Sequence, residues 1–182
     1  VDTPFLIAKL EEEAAKEEPR KLRYVLRDLA VAENAFAYEY TGYLSNIHSV
    51  KAYFDANLDM LESHKFYKLF APNQKVYTKV KNEEPTYYSD SSEVKLSQFA
   101  SGSIVRGKVE NSVISRNVDL SEGSSVSHSI LFPRVKVAKG ATVEYAIVDK
   151  GVEIAEGVTI RGTENNPVVI KKGSVVTEDI VR

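Results

Sequence analysis

The 182-residue chain contains no cysteine. That excludes a disulfide framework and any thiolate metal centre, and it fits a reducing compartment. An excess of basic residues is also missing: 24 Lys and Arg stand against 26 Asp and Glu, for a net charge of -2. Such a balance leaves no electrostatic footprint for nucleic acid. No apolar run approaches the roughly 18 residues of a membrane span, and no signal-peptide core is present. With no opening methionine, the sequence is expected to be a fragment of a cytoplasmic protein. At 43% hydrophobic and 27% charged residues, it reads as globular and long enough to bury a core without staples.

What the second half does contain is a repeat. ENSVISRNVDLSEGSSV, SHSILFPRVKVAKGATV and EYAIVDKGVEIAEGVTI are consecutive segments of 17 residues, spanning 110–160. Aligned, they stack Val113, Ile130 and Ile147; Ile114, Leu131 and Val148; Val118, Val135 and Val152; Leu120, Val137 and Ile154; and Val126, Val143 and Ile160. One column is pure glycine, Gly123, Gly140 and Gly157. The apolar residues come as short alternating β-branched pieces rather than at helical spacing, so they are strands. Three short strands per period make one triangular coil of a parallel β-helix, with the aliphatic columns as internal ladders. Glycine at one corner marks a turn that wants positive φ or a close backbone approach. Asp119, Lys136 and Glu153 share a column, as do Glu122, Lys139 and Glu156, so opposite signs meet about 4.8 Å apart in adjacent coils. Val168 to Val176 repeats the second half of the period once more, after RGTENNP. VKLSQFASGSIVRGKV reads as an irregular first coil, and an open coil end is an unpaired strand edge that something should cover. The N-terminal half is expected to cover one end and the tail TEDIVR the other.

Residues 1–90 read as a mixed α/β segment with a linker, and 91–182 as the β-helix. TPFLIAKLEEEAAKEE predicts a helix with Thr3 as N-cap and Pro4 at the first helical position, interrupted by Pro19. Its EEE run reads as a solvated helix face. LRYVLRDLA predicts a second helix, AFAYEYTGYL alternates as a strand, and SVKAYFDANLDMLES predicts a helix from Ser49 with Val50, Tyr53, Phe54, Leu58 and Leu61 on one face. His64 to Tyr88 reads as an aromatic linker packed against both halves, with turns at APN and NEEP.

GYLSNIHSVKAYFDANLDML resembles the segment of sugar-nucleotide pyrophosphorylases that usually reads Gly-Tyr-Trp-x-Asp-Ile/Val-Gly-Thr before an Ala-Tyr-x-x-Ala-Asn-Leu helix. EPTYYSDSSEVKLSQFASGSIV, SILFPRVKV and AIVDKGVEIAEGVTI resemble the linker and left-handed β-helix of bacterial ADP-glucose pyrophosphorylase, or glucose-1-phosphate adenylyltransferase. The resemblance covers nearly the whole chain. It implies the hexapeptide-type left-handed fold, and a full enzyme that makes ADP-glucose and pyrophosphate from ATP and glucose 1-phosphate with Mg²⁺, for glycogen or starch. No glycine-rich nucleotide loop occurs here, so the chain matches the end of the nucleotidyltransferase domain plus the β-helix.

The departures carry information. Asn46 stands where the resemblance implies a metal-binding aspartate, and His48 where it implies glycine. An amide lacks the charge that offsets a hard cation beside phosphates. The chain is therefore expected to have no catalytic residues, to bind no metal or cofactor, and to belong to a weakly active or regulatory subunit. Its expected partners are a catalytic adenylyltransferase subunit, copies of itself, or both, with no nucleic acid and no membrane. Arg116 and Lys150 share one column and Arg134 the next, a row of like charge along one coil edge. The row is either solvated or an anion site. Lys150, in AIVDKG, matches the position where the resemblance implies a basic residue tied to phosphate-bearing effectors, which makes Lys150, Arg134 and Arg116 the candidate effector site. Two alternatives stay open: a hexapeptide-repeat acyltransferase using His128 as general base, or an oligomerisation scaffold alone. His128 shares its column with Asn111 and Tyr145, and no acyl-CoA loop is evident in the coils.

Overall fold

The computed structural model describes residues 2–32, 35, 36, 38–70, 75–78 and 81–182. They fall into two compact units, 1–41 and 42–182. The second unit begins well before residue 91, because the helices after Gly42 dock on the strands that follow.

In the first unit, α1 (Thr3–Ala14) and α2 (Leu22–Ala32) form a hairpin. The N-cap of α1 is Asp2 rather than Thr3: its Oδ1 accepts the Phe5 N–H at 3.0 Å. Capping one residue earlier keeps Pro4 in the first turn, where its missing N–H costs nothing. The EEE run is not wholly solvated. Glu13 is buried and accepts from Arg20 Nε at 2.7 Å and Lys16 Nζ at 2.6 Å. The Arg20 guanidinium, then Lys16, hold its carboxyl well below the usual range.

Described residues 35, 36 and 38–44, which run from the first unit into the second, form no strand, contrary to the alternation of AFAYEYTGYL; Ala37 lies outside the described residues. No strand pairing is assigned to these described residues, and an extended segment without a paired strand is not a sheet. α3 (Val50–Leu58) starts as predicted, with Ser49 Oγ accepting the Ala52 N–H at 3.1 Å. A 3₁₀ turn (Asp59–Leu61) leads into α4 (Ser63–Leu69), a helix hidden in what read as linker. The predicted APN turn lies outside the described residues.

The solenoid begins at Tyr87, four residues before the predicted boundary. Its first coil is β1 (Tyr87–Tyr88), β2 (Glu93–Lys95) and β3 (Gln98–Phe99), and its second is β4 (Ile104–Val105), β5 (Lys108–Glu110) and β6 (Val113–Ile114). The third and fourth are β7 (Asp119–Leu120), β8 (Ser125–Ser127), β9 (Ile130–Leu131) and β10 (Lys136–Val137), β11 (Thr142–Glu144), β12 (Ala146–Val148). The fifth is β13 (Glu153–Ile154), β14 (Thr159–Arg161), β15 (Val168–Ile170), and the sixth holds β16 (Val175–Val176) and β17 (Ile180–Val181). Every pairing between them is parallel, giving sheet A (β1-β4-β7-β10-β13-β16), sheet B (β2-β5-β8-β11-β14-β17) and sheet C (β3-β6-β9-β12-β15). For residues 110–160 the registers reproduce the sequence columns: Leu120 pairs with Val137 and Val137 with Ile154, and Val126 with Val143 and Val143 with Ile160. Val168–Val176 departs from its expected columns: Val168 and Ile170 pair with Ala146 and Val148, and Val176 with Ile154, because residues 162–167 lengthen a corner instead of replacing half a coil.

Alternate side chains along the coils point inward, two of them in β12 and in β15. Val118, Leu120, Val135, Val137, Val152 and Ile154 are all 2% exposed or less. Gly123, Gly140 and Gly157 hold φ of 70°, 69° and 71° at the corner between sheets A and B, as their column implied. On the outside, Lys136 Nζ meets Glu153 Oε1 at 2.8 Å. The Glu122, Lys139, Glu156 column makes no ion pair among the described residues, as expected for solvated charges.

Burial of the ladder gives a direct test. Leu131→Ala, at a fully buried rung, should lower the unfolding free energy by about 2–5 kcal/mol. Lys136→Ala on the outer face should change it by less than about 1 kcal/mol. Urea titration followed by circular dichroism measures both.

Candidate functional site

The two corners that flank sheet C carry the polar residues singled out in the sequence. At the corner between sheets C and A, register stacks Arg116, Pro133 and Lys150 in one row and Asn117, Arg134 and Gly151 in the next. Backbone bonds fix the stack: the Arg134 N–H donates to Arg116 O at 3.1 Å, and the Gly151 N–H to Pro133 O at 3.0 Å. Asn117, Arg134 and Gly151 all have positive φ, so Arg134 holds a left-handed backbone that the adjacent coil gives to glycine. The three predicted cations are thus brought to one edge, but they are not equivalent. Glu83, from the segment before the solenoid, lies on this edge with its Oε2 3.7 Å from Arg116 Nε and 3.2 Å from Ser101 Oγ. Arg116 is partly neutralised. Arg134 and Lys150 are exposed and make no ion pair among the described residues. Sequence columns could not find Glu83, because it lies outside the repeat.

At the corner between sheets B and C, four side chains stack in successive coils: Leu96, Asn111, His128 and Tyr145, with φ of 44°, 45°, 44° and 46°. Left-handed backbone costs a residue with a Cβ about 1–2 kcal/mol, and packing accounts for its retention here. α3 lies across the outer face of sheet C, where Phe54, Ile130 and Ile147 form a small core with Leu58 and Tyr145 against it. Phe54 is 1% exposed. Gln98 Nε2 donates to Met60 O at 2.6 Å, tying the 3₁₀ turn to the first coil. Asp59 accepts from Lys65 at 2.7 Å and from the Tyr43 hydroxyl at 3.0 Å. Asp59 and then Glu62 hold the Lys65 ammonium above its ordinary range, while burial first and Asp59 second push the Tyr43 phenol up.

Between α3 and this corner runs a groove of about 690 Å³, whose lining includes Asp55, Leu61, Asn111, His128 and Glu164. The His128 ring stacks on Tyr145 at 4.8 Å, and its Nδ1 is enclosed without a hydrogen-bond partner.

Asn46 and His48 lie exposed in the loop before the Ser49 cap, with His48 Nδ1 3.0 Å from Asn46 O. Among the described residues no group of three or more His, Cys, Asp or Glu is placed to hold a metal ion, and no helix is long and apolar enough to cross a membrane.

The family described as GlmU-like, C-terminal hexapeptide, matches over residues 82–181. The chain is 40% identical over 141 residues to the glycogen biosynthesis protein GlgD of Bacillus subtilis, covering 78% of this chain and 41% of that protein. To GlgD of Geobacillus stearothermophilus it is 53% identical over 127 residues, 70% of this chain and 37% of that protein. A glucose-1-phosphate adenylyltransferase of Mycoplasma mobile is 31% identical over 105 residues, 58% of this chain and 27% of that protein. The chain thus spans well under half the length of these relatives.

The docking of α3 makes its own prediction. Phe54→Ala should cost about 3–5 kcal/mol and expose Ile130 and Ile147. Hydrogen exchange should then show loss of protection in residues 50–61 while the inner ladder stays protected.

Proposed function

Because the chain belongs to the GlmU-like C-terminal hexapeptide family, we propose that it is the C-terminal part of a GlgD-type subunit of glucose-1-phosphate adenylyltransferase. In this reading it serves glycogen biosynthesis as a regulatory subunit rather than a catalytic one. The observation that carries the reading is Asn46. A carboxamide occupies the position where the resemblance implies a metal-binding aspartate, and among the described residues no group of three or more His, Cys, Asp or Glu is placed to hold a metal ion. These residues do not fit a Mg²⁺ site, because a neutral amide cannot offset the cation's charge beside phosphates, and no chemical step is assigned to them. Higher identity to the two GlgD proteins than to the adenylyltransferase supports the same choice.

The role left to the chain is mechanical and regulatory. α3 follows directly on the Asn46 loop and is clamped to sheet C through Phe54, so a displacement of one is felt by the other. The opposite corner of the same sheet carries Arg134 and Lys150, whose unneutralised charge suits an anionic effector such as a phosphate ester. Arg116 sits beside them, already engaged by Glu83.

Two measurements check this. The full-length subunit alone should release pyrophosphate from ATP and glucose 1-phosphate only at background rate, and should raise the rate or effector sensitivity of an added catalytic subunit. Magnesium-dependent release by the lone subunit at the catalytic subunit's rate would refute the reading. In the assembled enzyme, Arg134→Ala with Lys150→Ala should raise the half-saturating concentration of a phosphate effector by about tenfold or more, the loss of one or two charge-assisted hydrogen bonds. An unchanged effector curve with intact assembly removes the anion site from the proposal.

A further inference from the structure

The cation row at the corner between sheets C and A is open at one end and closed at the other. Register places Ser101, Arg116, Pro133, Lys150 and Lys172 at one position of this corner in successive coils, with Gly102, Asn117, Arg134, Gly151 and Gly173 beside them. The Asn117 N–H donates to Ser101 O at 3.2 Å and the Gly173 N–H to Lys150 O at 2.9 Å, which fixes the outer coils to the same stack. Lys172 thus continues the row. Like Arg134 and Lys150, it is exposed and makes no ion pair among the described residues.

Of these cations only Arg116 meets a carboxylate, and that carboxylate comes from outside the repeat. Glu83 lies four residues before β1. Its Oε2 stands 3.7 Å from Arg116 Nε and accepts from Ser101 Oγ at 3.2 Å, while its Oε1 accepts from Asn117 Nδ2 at 3.4 Å. A guanidinium, a hydroxyl and a carboxamide therefore converge on one oxyanion, and all three are donors that a phosphate oxygen can use equally well. None of the three contacts is short. The ion pair lies beyond hydrogen-bond range and both its members are partly exposed, so it contributes little by itself. What keeps the carboxylate in place is the chain that carries it. The Gly102 N–H donates to Glu84 O at 2.6 Å, Thr86 Oγ1 to Ala100 O at 2.8 Å, and the Tyr87 N–H to Ser103 O at 2.8 Å. A tethered group fills a site through its high local concentration rather than through strong contacts.

We propose that Glu83 is a built-in competitor for the anion site of this corner: it holds the Arg116 end of the row when no ligand is bound, and a phosphate-bearing anion seated on Arg134 and Lys150 displaces it. Arg116 is one coil, about 4.8 Å, from Arg134, so a phosphate at Arg134 is within reach of its guanidinium. The exchange favours the phosphate, which carries more charge and can take the guanidinium fork through two oxygens, whereas Glu83 approaches through Nε. Once Glu83 is released, the bond from Gly102 to Glu84 O becomes the frayed end of the segment that leads into the solenoid. Ligand binding on the rigid corner is thereby passed to the chain that precedes it.

This inference rests on the anion site proposed above, and its test separates the two. Inorganic phosphate is titrated into the 182-residue chain and followed by NMR of the Arg134 and Lys150 side chains. Glu83→Gln should bind phosphate about two- to fivefold more tightly than the wild type, the gain from removing one weak ion pair. Glu84→Gln removes the same charge one residue along, from an exposed side chain, and in about 0.15 M salt should alter the affinity by less than about 1.5-fold. In the wild type, saturating phosphate should speed hydrogen exchange of the Gly102 amide, and Arg134→Ala with Lys150→Ala should abolish that response. Equal tightening by the two glutamine variants would reduce the effect to net charge and overturn the proposal. Unchanged affinity in Glu83→Gln, or a Gly102 amide indifferent to phosphate, would overturn it too, while leaving the anion site standing. Absence of phosphate binding in every chain removes the site and this inference together.

Discussion

Hydrogen bonding and packing from one coil to the next is the constraint on which everything else in the second unit depends. No coil can bury its inner valines and isoleucines alone; each becomes dry only when the coils above and below cover it. The inward column must therefore stay aliphatic and in register for the length of the solenoid, while the outward positions are free to carry other work. Sheet C uses that freedom to seat α3 on Ile130 and Ile147, and sheet A uses it for the Lys136–Glu153 pair. The corners use it for charge.

A second consequence concerns rigidity. Because the aliphatic ladder fixes register, side chains at equivalent corner positions stack at the strand spacing of about 4.8 Å. Arg134 and Lys150 are held as neighbours by backbone bonds rather than by any contact of their own. The same applies to the stacked rings of His128 and Tyr145. Placement of this kind needs no affinity between the groups placed, so like charges can be kept side by side at little conformational cost.

How far the sequence was legible follows from whether a feature repeats. The inner columns of residues 110–160, the glycine corner and the Ser49 cap all follow from local chemistry or from the 17-residue period, whereas Val168–Val176, read as the second half of a period, pairs one strand earlier in the coil because the corner before it is lengthened. Features outside the period were harder. Glu83 reaches Arg116 from a segment with no repeat, and α4 hid among aromatic residues that suggested a linker. AFAYEYTGYL has the alternation of a strand, yet alternation describes which faces would be buried and says nothing of whether a partner edge is at hand. The left-handed backbone at Leu96, His128 and Tyr145 was invisible for another reason: residue type predicts positive φ only for glycine and asparagine, and here tertiary packing overrides it. The sequence columns placed Arg116, Arg134 and Lys150 along one edge but could not show the neutralisation of Arg116 by Glu83.

The corners differ in length where the strands do not. Two residues, Arg106 and Gly107, join β4 to β5, where four join β7 to β8, and Gly107 is required because a Cβ there would lie 2.3 Å from Ser124 Oγ. Between β14 and β15 the corner instead expands to six residues, 162–167, with Thr163 and Asn166 bridged to each other. Strand pairing resumes after both. Insertions and deletions at these bends are thus nearly silent for the fold, while the same change inside a strand turns every following side chain inside out. Descendants of such a chain can acquire new surface loops by slippage at the bends without passing through an unfolded ancestor, so divergence among its relatives should concentrate there in length and on the strands in identity.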